Sequence, residues 1–227
     1  MQAIVKGILL LLLLSGIHLE AKDIFPKIRL EKGEKKFKSL KQYTLKDFHF
    51  TKDIAYMDVV KYDVTKKLKL QKEGNFRYVM KMGMLPPKKN SAESFIWLSK
   101  ALLDKNYFWK VTHPLIEDYT FTTLRFLVKE DNRLKAVDTL QDIKDLLGNL
   151  DTVADLHLWL YASESNSYEA YSYKKTGRLY RVRFRTAPNV LHCYYEEYFR
   201  YYNSEGKRVK EMKLKGFTLK NCSEIMI

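Results

Sequence analysis

The chain holds two cysteines, Cys193 and Cys222, and the residues between them read as a β-hairpin. A Tyr-rich run, Val190 to Tyr202, enters the turn Asn203-Ser204-Glu205-Gly206, and a Lys-rich run, Lys207 to Leu219, leaves it. In an exported chain two cysteines read as one Cys193–Cys222 disulfide. The bond would close a loop of about 30 residues and contribute roughly 3–4 kcal/mol in the chain-entropy account. A reactive thiol at Cys193 is disfavoured, because its neighbour His192 would point to the opposite face of a strand.

The N-terminus supplies the export expectation. Lys6 precedes the apolar run Ile8 to Leu14, and Ala21 stands where cleavage needs a small residue. That is the order of a signal peptide, and an apolar stretch of about ten residues falls short of the ~20 that span a bilayer. Residues 1–21 are therefore read as a signal peptide. The mature chain, 22–227, is expected to be a soluble protein of the periplasm or the exterior, with no transmembrane segment after cleavage.

Charge then becomes informative. The formal net charge is +14. Residues 22–90 carry 19 Lys and Arg against 8 Asp and Glu, whereas 91–227 carry 21 against 18. Such asymmetry points to an anionic partner, and export favours an anionic envelope polymer or an acidic protein over nucleic acid. A solvated lysine face is the competing explanation, since Lys outnumbers Arg 31 to 10.

Periodicity supplies the elements. Lys22 to Leu45 has little pattern and reads as an irregular arm. Phe48-His49-Phe50 reads as the opening of a strand. Ile54 to Val64 and Phe76 to Met82 are strand-like, and Pro86-Pro87-Lys88-Lys89-Asn90 breaks regular structure. The break divides a basic, β-rich region, 22–90, from an α+β region, 91–227, that ends in the disulfide-stapled hairpin. Phe95, Leu98 and Leu102 lie on one stripe of a long helix that His113-Pro114 ends. Tyr119 to Lys129 and Leu134 to Val137 read as strands.

Thr139 with Asp142, and Thr152 with Asp155, repeat the Thr-x-x-Asp capping arrangement and predict two short helices, the first stopped by Gly148. A buried strand over Leu156 to Tyr161 is the alternative for the second. Tyr168 to Tyr173 and Leu179 to Arg185 flank a turn at Gly177 and predict a hairpin. The expected fold class is α+β: a mostly antiparallel sheet with one long and two short helices and C-terminal β-hairpins.

No Gly-rich phosphate loop, His-Glu-x-x-His, Cys-x-x-Cys or Gly-x-Ser-x-Gly occurs, and the histidines lack metal-ligand spacing. No cofactor or metal is expected. His113 with Glu117 or Asp118 is the one acid–base grouping available to a small secreted hydrolase. The candidate binding residues lie near the C-terminus. Arg181, Arg183 and Arg185 share one strand face, with Tyr180, Val182 and Phe184 on the other, the core face. Three like charges need an anion or acidic neighbours, and Glu169, Glu196 and Glu197 are the neighbours at hand. Tyr194, Tyr198 and Arg200 give the next strand the composition of a recognition surface, the alternative being a sheet buried on both sides, the second under a helix such as Phe95–Trp109. These residues point to a non-enzymatic binding protein for an anionic ligand. An inhibitor of a secreted enzyme is a further alternative.

Overall fold

A computed structural model describes residues 28–65, 76–84, 110–112, 118–130, 134–137, 139–164, 168–186, 193–214 and 216–218. The expected signal peptide 1–21, the expected break at 86–90, residues 91–109 of the expected long helix, His113, Glu117 and Cys222 lie outside the described residues; Lys110–Thr112, read as the end of that helix, form a strand instead, paired with residues 120–122.

In chain order the strands are β1 (Lys35–Lys36), β2 (Ile54–Thr65), β3 (Phe76–Gly83), β4 (Lys110–Thr112), β5 (Asp118–Val128) and β6 (Leu134–Ala136). Helices α1 (Leu140–Leu147) and α2 (Val153–Ser163) follow. The chain continues through β7 (Tyr168–Thr176), β8 (Leu179–Thr186), β9 (Tyr194–Tyr195), β10 (Glu197–Tyr202), β11 (Arg208–Lys213) and β12 (Phe217–Thr218). The described residues thus form a sheet-rich α+β fold.

One antiparallel sheet runs β1-β7-β8-β10-β11; a second runs β3-β2-β5-β4, with β6 also on β5; β9 and β12 form a small ribbon. The second sheet draws strands from both sides of residue 90, because β2 pairs with β5 from Ile54↔Val128 to Thr65↔Asp118. Its inward side chains Met57, Val59, Met80 and Leu124 join Ile143 and Leu147 of α1, Leu156, Leu158 and Leu160 of α2, and Val182 and Phe184 of β8 in one core.

Both predicted Thr-x-x-Asp boxes close. The Thr139 hydroxyl accepts from the Asp142 amide and the Thr152 hydroxyl from the Asp155 amide, each at the start of a helix. Leu156 to Tyr161 is helical, and α2 is apolar nearly all round, with Ala154, Leu156, Leu158, Leu160 and Ala162 buried in the shared core. Gly206 fixes α2 against the β10–β11 turn. The Trp159 Nε1 donates to the Gly206 carbonyl at 2.9 Å, and a Cβ on Gly206 would fall 2.6 Å from that nitrogen.

Three local expectations change. Phe48 opens no strand: its amide closes a single 3-10 turn on Leu45, and the next amide, of His49, donates to the Asp155 carboxylate at 3.0 Å. The arm carries regular structure between residues 35 and 47, since β1 pairs with β7 and two further capping boxes, Ser39 with Gln42 and Thr44 with Asp47, hold consecutive 3-10 turns. The strand expected over Val190 to Tyr202 divides at Glu196. Glu196 exchanges backbone and side-chain bonds with Thr186, so β10 stays on β8 while β9 leaves for β12.

Candidate functional site

β8 alternates as its sequence dictates: Tyr180, Val182 and Phe184 are buried in the core and Arg181, Arg183 and Arg185 line the other face. That second face is covered by the arm. Arg183 donates through Nε and Nη2 to the two Glu34 oxygens at 2.8 and 2.9 Å, and through Nη1 to Glu197 at 3.1 Å. The Arg183 side chain is 8% exposed and the two carboxylates 1% each. Ser172 also donates to Glu34, at 2.6 Å, and the Glu31 amide does so at 2.8 Å. Burial alone would push the Glu34 carboxyl up; the bonds from Arg183, Ser172 and the Glu31 amide hold it below its ordinary value instead.

Arg181 pairs with Glu31 at 2.6 Å and Arg185 with Glu169 at 2.5 Å. The Arg181 and Arg183 guanidiniums also stack over the Phe199 ring, 4.1 and 4.8 Å from its centre. The anions held by this row are therefore carboxylates of the same chain.

Tyr198 and Arg200 stand on the opposite face. Arg200 pairs across the ladder with Val182, and Tyr198 with Phe184, so both share the core side of the sheet. Arg200, 3% exposed, donates to Glu164 at 2.6 Å and to Glu211 at 2.5 Å. Tyr202 hydrogen-bonds Glu164 as well. Tyr194 sits on β9, in the separate ribbon. The six residues therefore do not form one surface. Among the described residues no cluster of His, Cys, Asp and Glu could hold a metal. Asp118 begins β5, and its would-be partners His113 and Glu117 lie outside the described residues.

A different grouping does converge. β1 lies against β7 with Lys35 opposite Tyr173, and the arm then passes the start of α2. Lys35, Lys36 and Lys38 line an open cleft of about 500 Å3 with Tyr43 and Asp47. Thr152, Val153 and Ala154 at the N-terminus of α2, with Tyr173, form its remaining wall. Among the described residues no carboxylate pairs with any of the three lysines, in contrast to the arginine row. Lys36 lies over the Tyr171 ring and Lys38 over the Tyr43 ring. At the helix start the capping box occupies the Asp155 amide, which leaves those of Val153 and Ala154 as the open donors of the first turn.

Two buried polar atoms beside the cleft lack partners. Tyr43 is 6% exposed and its hydroxyl makes no hydrogen bond. Burial, with Tyr173 and Asp47 nearby, pushes that phenol up to about 12. Tyr43, Tyr173 and Asp47 all line the cleft. Behind it lies His157, whose ring centre is 5.8 Å from that of Tyr43 and 4.4 Å from that of Phe37. The His157 Nδ1 is also unpartnered, and burial pushes the imidazole down to about 4, which keeps it neutral.

Asp47 is the one carboxylate on the cleft wall. Its Oδ2 accepts from the Thr44 amide at 2.7 Å and the Thr44 hydroxyl at 3.0 Å, and these bonds hold the group below its ordinary value.

The sequence reading passed over this cleft because the arm has no hydrophobic period. A usable signal was present: Thr44-x-x-Asp47 repeats the box that marks both helix starts. Comparison with known proteins found no match to the chain among family models, curated proteins or solved structures.

Proposed function

We propose that the protein is an exported, non-enzymatic binding protein that holds an anionic group of an envelope polymer in the cleft between the arm and α2. The carrying observation is the contrast between two basic groups. The arginines of β8 are matched by Glu31, Glu34, Glu197 and Glu169, whereas Lys35, Lys36 and Lys38 face a cleft with the start of α2 and, among the described residues, have no carboxylate within salt-bridge reach. Lysine is a strongly hydrated point charge suited to a solvent-open anion site; buried arginine is suited to two-pronged ion pairs. A helix N-terminus adds positive potential and free amides.

The signal peptide, the Cys193–Cys222 bond, the long helix over 91–109 and the division near residue 90 belong to this proposal. The hydrolase alternative rests on His113 and Glu117, which lie outside the described residues, and on Asp118 at the start of β5. The reading is tested by binding to lipopolysaccharide micelles at low and physiological salt. Wild type should bind at low salt and weaken steeply as screening shortens to about 8 Å. A Lys35→Ala, Lys36→Ala, Lys38→Ala variant should lose at least tenfold in affinity. Absence of binding at low salt, or an unchanged triple variant, would overturn it.

A further inference from the structure

The lining of the cleft says more than its charge. All but one of its polar side chains can donate toward an anion: three ammonium groups and the hydroxyls of Tyr43, Tyr173 and Thr152, with the first-turn amides of α2 beside them. The exception is Asp47, which accepts only. An ionised carboxylate beside an anion site repels a fully deprotonated anion. The same carboxylate forms a short, charge-assisted bond to an anion that still carries a proton.

Resting on the reading of the cleft as an anion site, we infer that it selects a phosphate group that retains a proton, a phosphate monoester, over a phosphodiester, a sulfate or a carboxylate. The monoester oxygens would accept from the lysines, from Tyr43 and from the amides of Val153 and Ala154, and its P–OH would donate to Asp47. Two observations carry this beyond a helix terminus with lysines. Tyr43 lines the cleft, and its hydroxyl is more than nine-tenths buried and unpartnered. The two Thr44 bonds to Asp47 both fall on Oδ2, so neither occupies Oδ1. Those bonds also keep Asp47 ionised. Diesters, sulfates and carboxylates have no proton to give it. Charge alone would rank inorganic sulfate equal to or above a monoester, so the order of affinities separates recognition from simple attraction.

The test is calorimetric titration of the full chain at low salt and pH 6, where about half of a monoester carries the proton. Glycerol phosphate, dimethyl phosphate, inorganic sulfate and acetate are the probes, with wild type, Asp47→Asn and Tyr43→Phe. Glycerol phosphate should bind at least tenfold more tightly than the other three. Asp47→Asn should narrow the gap to sulfate to within about threefold by strengthening sulfate. Tyr43→Phe should weaken glycerol phosphate severalfold without lowering Tm.

Vesicles carrying phosphatidic acid, a monoester, or phosphatidylglycerol, a diester, identify the source. Preference for the first with weak soluble affinity assigns the phosphate to a lipid-borne headgroup, and comparable soluble affinity assigns it to a free ligand. Anion binding with no monoester preference, or a ratio unchanged in Asp47→Asn, overturns this inference and leaves the cleft an anion site. No binding of any probe, soluble or vesicle-borne, overturns both.

Discussion

Arg183 and Glu34, 149 residues apart in the chain, form a two-pronged buried salt bridge at 2.8 and 2.9 Å. Glu34 immediately precedes Lys35, so this bridge sets where the arm meets the sheet and where its lysines stand. Glu197 completes the arrangement from β10, and Tyr195 donates to the other Glu197 oxygen at 3.3 Å.

Removing one member should therefore be costly. Arg183→Ala strands two buried carboxylates, and Glu34→Ala strands part of the guanidinium; each should destabilise by about 3–5 kcal/mol. The Arg183→Met, Glu34→Leu, Glu197→Gln triple change should cost less than Arg183→Ala, because no buried charge is left alone. Urea denaturation with unchanged m checks this. Single variants within 1 kcal/mol of wild type would mean that the arm does not depend on the bridge.

Tyr43→Phe should stabilise the unliganded protein. A buried hydroxyl without a partner costs about 1–3 kcal/mol, and phenylalanine keeps the ring contacts with Phe48 and His157. Differential scanning calorimetry should show a higher Tm. A lower Tm would mean that the hydroxyl already has a partner.

Acid should act through His157. Burial places its folded value near 4, below the ordinary 6.5, so the unfolded chain takes up the proton first as pH falls. Stability from this group is intact above about pH 6.5 and lost as pH falls toward 4, at no more than about 1.4 kcal/mol per pH unit. Asp155 opposes it near its own range, because burial pushes that carboxyl up and the folded state protonates more readily. A His157→Leu variant should flatten the profile between pH 6.5 and 4 relative to wild type; a parallel profile would refute the assignment.

Cys193 adopts φ +52°, where a residue with a side chain is strained, and the disulfide proposed from it to Cys222 has a direct chemical test. Peptide mapping without reductant should recover Cys193 joined to Cys222, and Cys222→Ser should lower Tm by several degrees. Two free thiols in protein taken from an oxidising compartment would remove the bond.

The legible parts of the fold were those governed by local rules. The alternation Tyr180, Val182, Phe184 against Arg181, Arg183, Arg185 located β8, and Thr-x-x-Asp with Gly148 located the helices. The carboxylates expected beside the row were its strand neighbours, and Glu169 and Glu197 do serve. Glu31 and Glu34 were invisible as partners, because nothing local links residue 34 to residue 183. Whether the Arg200 face met solvent or a second buried layer stayed open, because both faces of that strand are aromatic. Here Glu164 and Glu211 allow it to lie on the core side. The cleft escaped notice for a related reason. Its walls come from three separate stretches, each unremarkable alone.

Proton–nitrogen NMR titration with inorganic phosphate at low salt tests the central claim most directly. The account predicts saturable shifts at the amides of Lys36, Tyr43, Val153 and Ala154, with Arg181, Arg183 and Arg185 unmoved. Shifts centred on the arginine row, or shifts spread over surface lysines without saturation, would contradict it.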